Sequence, residues 1–236
     1  NYHKALSKDG LKGKRIGVAR QIFGFDRRVD ALMEVQIQHL SKLGAEIVDP
    51  VEYAGYPELG RDFQIVSAHE FKAGLDGYLS ALPPEVKVRS LRDVMLFNQE
   101  HPEEEAMSFL GQEMFEGAVQ TEGLESKSYL EAVKRLKAHS DLENVLATKN
   151  LDAILAPSNG PAWTIDFVNG DHFEGGAAAS PAIAGIPHIT VPCGDVHKLP
   201  IGLSLFGPKQ SEAALLGMAY AFEQATRARL EPGFQK

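Results

Sequence analysis

Three groups of side chains in this sequence could do chemistry. The first is Gly175-Gly176-Ala177-Ala178-Ala179-Ser180, a small-residue run that ends on a hydroxyl. A serine becomes a nucleophile only beside a base, and its oxyanion needs preorganised N–H donors. The run lacks paired serines and holds no lysine. The second is Cys193, the sole cysteine, with Asp195 and His197 close by in sequence. A reactive thiolate needs a converging base, which proximity in sequence does not supply, so packing is the favoured reading of Cys193. The third is the segment 158–175, which follows a strand candidate and carries the only tryptophan. Ligands in α/β folds gather where strands emerge, so Ser158, Asn159, Trp163 and Phe167 are the candidate substrate-binding residues. The competing reading is a loop whose Trp163 and Phe173 simply cover the core.

Other constellations fail on spacing. His69-Glu70 lacks the second histidine that a helical zinc-protease motif requires, and the eight histidines are dispersed, so no metal site is expected. Glu103-Glu104-Glu105 reads as a solvated helix start, where carboxylates favour the dipole. Gly10, Gly13, Gly17 and Gly24 form neither a dinucleotide fingerprint nor a P-loop, and no Gly-x-Ser-x-Gly elbow occurs.

The elements that must position these residues follow from periodicity and punctuation. Arg15 to Ala19 and Ala45 to Val48 read as strands. Between them Val29, Leu32, Met33, Ile37, Leu40 and Leu43 form the apolar stripe of a helix that starts near Asp26 and stops at Gly44. Strand, helix and strand at this separation predict a parallel pair. Residues 57–150 read mainly as helix: one element runs from Leu59 to Leu79 and ends before Pro83-Pro84. A second starts on Ser90 with Asp93, and a third region spans 126–148 with a restart near Ser140. After a strand at 152–156, Ser180 and Pro181 are expected to open a short helix that exits at Gly185. His188 to Val191, closed by Pro192, and Ile201 to Phe206 are two further strands. A core-facing helix then begins near Ser211 and carries Leu215, Met218 and Phe222.

The ordered series Leu151 to Pro157, Ala184-Gly185-Ile186-Pro187-His188-Ile189-Thr190-Val191-Pro192, Leu199-Pro200-Ile201-Gly202-Leu203-Ser204-Leu205-Phe206-Gly207 and Glu212 to Thr226 resembles the C-terminal part of the amidase signature hydrolases. Within that family, the His188 strand and the Leu199 to Ser204 run look most like the peptide amidase branch. The resemblance implies an α/β fold with a mixed, partly parallel sheet flanked by helices. It also implies a serine acyl-enzyme mechanism, served by a Ser-cis-Ser-Lys segment that lies N-terminal to the part resembled. No catalytic residue is therefore carried onto this chain, which is expected to supply scaffold and one wall of the pocket in an amidase that hydrolyses a carboxamide C–N bond. No cofactor is needed for that reaction.

Composition bounds the remainder. A chain of 236 residues can bury one substantial core, and we expect a single α/β domain over 1–236. Asn1-Tyr2-His3-Lys4 opens without a methionine, so a C-terminal fragment of a larger amidase domain is expected. The formal charge of −8, with scattered basic residues, argues against a nucleic-acid partner. No stretch of about 20 apolar residues is present to cross a bilayer. A lone cysteine is compatible with a reducing compartment, and a cytoplasmic location is expected. The expected partners are a small-molecule or peptide amide substrate and the missing N-terminal catalytic half. A sheet lacking that half would expose an edge or apolar face and favour self-association. Two alternatives stay open: a non-catalytic interaction or regulatory module of amidase origin, and an independent hydrolase using Cys193.

Overall fold

The computed structural model describes residues 1–54, 56–105, 107–231 and 233. Backbone contacts divide the chain into two compact units, one built from 1–56 with 140–236 and the other from 57–139.

The first unit is a five-stranded sheet with helices on both faces. Its strands are β1 (Arg15–Val18), β2 (Glu46–Val48), β3 (Ala153–Pro157), β4 (His188–Val196) and β5 (Leu199–Phe206), in the order β2-β1-β3-β5-β4. β1 pairs parallel with β2 and β3, whereas β3–β5 and β5–β4 are antiparallel, so the sheet is mixed and partly parallel. The parallel end is the predicted strand–helix–strand unit. Its helix α1 (Arg27–Lys42) starts where Asp26 accepts a hydrogen bond from the Arg28 N–H. The antiparallel end is a hairpin whose two turn residues, His197 and Lys198, both have positive φ, the geometry that matches strand twist in a two-residue connection.

Alternation along the strands gives the sheet two different faces. Ile16, Val18, Leu155, Leu203 and Leu205 pack with Val29, Met33 and Leu40 of α1 and with Leu215, Met218 and Phe222 of α8 (Glu212–Thr226). Ile154, Ala156 and Phe206 point the other way and pack with Leu142, Val145 and Leu146 of α6 (Leu142–Thr148), and with Val51, Tyr53 and Ile186. Burying each such side chain contributes about 1.5–3 kcal/mol.

Two local expectations shift. Pro192 does not close its strand: β4 continues to Val196 across a register irregularity between Pro192 and Gly194. β4 is an edge strand, so the missing proline N–H leaves no central ladder bond unmade. Ser180 does not cap α7 (Ala179–Ala184) but lies inside its first turn, buried, with Pro181 following where the helix has no N–H partner to lose. Gly185 does end the helix in the left-handed conformation, with φ 64°.

The second unit is helical: α2 (Tyr56–Ser80), α3 (Leu91–Glu100), α4 (Glu113–Val119) and α5 (Lys127–His139). The Ser90 hydroxyl caps α3 by accepting from the Asp93 N–H. Arg89 ties the end of α2 to α3 by donating to the carbonyls of Leu82 and Pro83. Residues 103–105 are exposed in a turn rather than at a helix start, because three adjacent carboxylates offer no apolar stripe to bury.

Candidate functional site

The α6 side of the sheet carries a hydroxyl and imidazole cluster where β3, β5 and β4 run side by side. Register places Ile154, Phe206 and His188 in one row and Ala156, Ser204 and Thr190 in the next. Ser158, one residue beyond β3, is held by its own N–H donating to the Gly202 carbonyl at 2.9 Å. Three strands thus deliver four polar side chains to one patch.

The contacts in that patch are short. Ser158 Oγ donates to Thr190 Oγ1 at 3.1 Å and lies 2.8 Å from Ser204 Oγ. Ser204 Oγ is 2.7 Å from His188 Nε2 and 3.3 Å from Thr190 Oγ1. Ser204 is fully buried, while His188 and Thr190 reach the surface. Phe206 stands edge-on to the His188 ring on one side and to Tyr53 on the other, with centroids 5.9 and 6.2 Å away. Burial pushes the His188 pKa down and the Tyr53 phenol up to about 12, so both are neutral near pH 7. The cluster is a neutral, preorganised set of hydrogen-bonding groups, with no charged residue among them.

Gly202 makes the patch geometrically feasible. A Cβ at this position would lie 2.6 Å from Thr190 Cγ2 and 2.7 Å from Ser158 Oγ, so any side chain would push Thr190 and Ser158 out of place.

Of the four residues singled out from sequence, Ser158 belongs to this cluster. Asn159 is its neighbour: its backbone bridges to Gly176 and its side-chain oxygen accepts from the Gly160 N–H. Trp163 and Phe167 lie farther along the irregular segment and are 39% and 55% exposed. The Trp163 indole donates to Asp171 at 2.9 Å, which fixes the ring within the loop. Ile165, Val168 and Phe173 are still more exposed, so this loop presents apolar surface outward.

His188, Thr190 and Ser204 escaped the sequence reading as site residues because each sat inside a strand pattern. A signal existed: His188 and Thr190 share a parity on one strand, and Gly202 and Ser204 share a parity on its hairpin partner. Cys193, by contrast, is buried in the α1/α8 core, and burial pushes its thiol up to about 12. The Asp195 carboxylate is engaged by the Lys198 N–H. Among the described residues no group of three or more His, Cys, Asp or Glu side chains is placed to hold a metal ion, and no helix is long and apolar enough to cross a membrane.

The family model for Amidase matches residues 2–216. A probable amidase of Arabidopsis thaliana is 31% identical over 99% of this chain and 42% of its own length. A glutamyl-tRNA(Gln) amidotransferase component of Thermoanaerobacter pseudethanolicus is 28% identical over 95% of this chain and 47% of its own length. Among solved structures, the peptide amidase in complex with the competitive inhibitor chymostatin superposes with a TM-score of 0.90 at 37% identity, over 99% of this chain and 47% of that one. The native peptide amidase of Stenotrophomonas maltophilia gives 0.86 at 35% identity, over 100% of this chain and 47% of that one. The chain therefore spans less than half the length of each of these proteins. Matched from its first strand to its last helix, with the mixed sheet of its peptide amidase neighbours, this chain belongs to the amidase signature family, on its peptide amidase-like branch.

Proposed function

We propose that this chain is the C-terminal portion of a single amidase domain that hydrolyses the C–N bond of a carboxamide. The observation that carries the reading is the superposition on a peptide amidase with a TM-score of 0.90 over 99% of the chain. In the complete protein a serine attacks the amide carbonyl, ammonia or an amine leaves, and water releases the acyl group as a carboxylic acid. The nucleophile, its partner serine and the lysine lie outside this chain. Ser158, Asn159, Trp163 and Phe167 contribute one wall of the substrate pocket, and the protein works in the cytoplasm.

Ammonia release from simple carboxamides and C-terminally amidated peptides tests this reading. It is measured on this chain and, in parallel, on the protein encoded with its upstream sequence. Turnover by the longer protein alone is the expected result. Comparable turnover by this chain alone would place the nucleophile within it, and no turnover by either would remove the amidase reading.

A second reading rests on the outward apolar surface of Ile165, Phe167, Val168 and Phe173. Surface of this kind favours a covering polypeptide, so the isolated chain self-associates through it or serves as an interaction module. A monomer at high concentration in sedimentation experiments would count against both.

A further inference from the structure

Once Ser158 is the donor to Thr190, counting protons orders the remaining hydrogen bonds of the cluster. A hydroxyl has one proton and two lone pairs. Ser158 spends its proton on Thr190. Ser204 must then be the donor at its 2.8 Å contact with Ser158. With that proton used, the 2.7 Å contact between Ser204 and His188 is made only if the imidazole donates from Nε2. With the Ser204 proton already used, the 3.3 Å contact between Thr190 and Ser204 is made only if Thr190 donates, and that assignment closes a ring of three hydroxyls. Ser204 is saturated, with one bond donated and two accepted. Ser158 and Thr190 each keep one unused lone pair and have no free proton.

Such a ring can accept from a ligand but cannot donate to it. We propose that Ser158 and Thr190 form an acceptor-only subsite for the N–H of a carboxamide substrate, with His188 acting through Ser204 as the positioning residue that fixes the ring's direction. This deepens the amidase reading above and rests on it. A carboxamide meets the two lone pairs with N–H donors. The corresponding carboxylate or ester brings only acceptors, and the mismatch leaves buried polar groups unpaired. Partial desolvation pushes the His188 pKa down, which favours the neutral ring, and a single ring proton on Nε2 suffices for the contact.

Two NMR measurements on the isotopically labelled 236-residue chain test the proposal, neither of which depends on turnover. The imidazole nitrogen shifts of His188 are expected to show Nε2 protonated and Nδ1 bare, and Ser204→Ala is expected to return them toward the tautomer mixture of free histidine. Titration with 3-phenylpropanamide is expected to shift the Ser158, Thr190 and Gly202 amide resonances saturably. 3-Phenylpropanoate and its methyl ester, which carry no N–H, should act at least about tenfold more weakly. Ser158→Ala should abolish the preference, and His188→Ala should reduce it, with a dispersed spectrum reporting that each variant is folded. Proton occupancy on Nδ1 alone, absence of amide binding, or equal response to amide and acid would each overturn the subsite. If the ring behaves as stated and the longer protein releases no ammonia, the amidase reading fails while the acceptor site stands.

Discussion

The two faces of one sheet teach different lessons. The sheet face toward α1 and α8 is lined by apolar side chains, closed by Met33, Leu203, Leu205 and Phe222. The opposite face begins the same way at Ile154 and Phe206, then turns polar at His188, Thr190, Ser204 and Ser158 as the strands run on. On the first face the contribution of a residue is its volume. On the second it is hydrogen-bond direction, which a change of a single atom can reverse.

Truncations should separate the faces by size of effect. Phe222→Ala, which empties a fully buried site between sheet and helix, is expected to cost about 3–5 kcal/mol in chemical denaturation. Ser204→Ala removes far less volume but strands the His188 N–H and the Thr190 hydroxyl, so a loss of about 1–3 kcal/mol is expected. A loss below that range would mean that water replaces the missing hydroxyl.

Asp26→Ala should cost about 1 kcal/mol by uncapping α1. The Arg28 guanidinium, followed by N–H groups of the first turn, holds the Asp26 carboxyl down at about 2. Since the folded pKa is below the unfolded one, this contribution is complete above the ordinary carboxylate range and is lost as pH falls through about 2. Stability followed by circular dichroism in denaturant should therefore fall more steeply in wild type than in Asp26→Ala as pH drops from the ordinary carboxylate range to about 2, and the two proteins should converge at the acid end. The smallest effect is expected at Cys193: the native thiol should resist alkylating reagents at pH 8, and Cys193→Ala should leave amide turnover by the longer protein unchanged. Rapid alkylation of folded protein would show that the α1/α8 face is less tightly closed than Leu203 and Leu205 imply.

The apolar face was the legible one. Leu215, Met218 and Phe222, and the stripe from Val29 to Leu43, repeat at helical spacing because burial against a sheet demands it, and the strand–helix–strand pairing followed from their separation. Strand ends were less legible. Pro192 is a terminator only in a central strand, and edge position is a property of the whole sheet. The hairpin at His197-Lys198 lacks the glycine that usually marks positive φ. In the polar cluster, only Ser158 is marked in the sequence, by its place after a strand. His188, Thr190 and Ser204 needed the antiparallel register, which sets Thr190 directly beside Ser204, 14 residues on, with His188 on the diagonal.

On the proposed reading the polar face meets the amide substrate while the apolar face supports it. The most direct test is the ratio of kcat/KM for a carboxamide to that for the matching methyl ester, measured in the longer protein with and without Ser158→Ala. Removal of the acceptor should lower the amide value by about tenfold and the ester value by less than about twofold. Equal losses on both substrates would contradict the claim and return Ser158 to the scaffold.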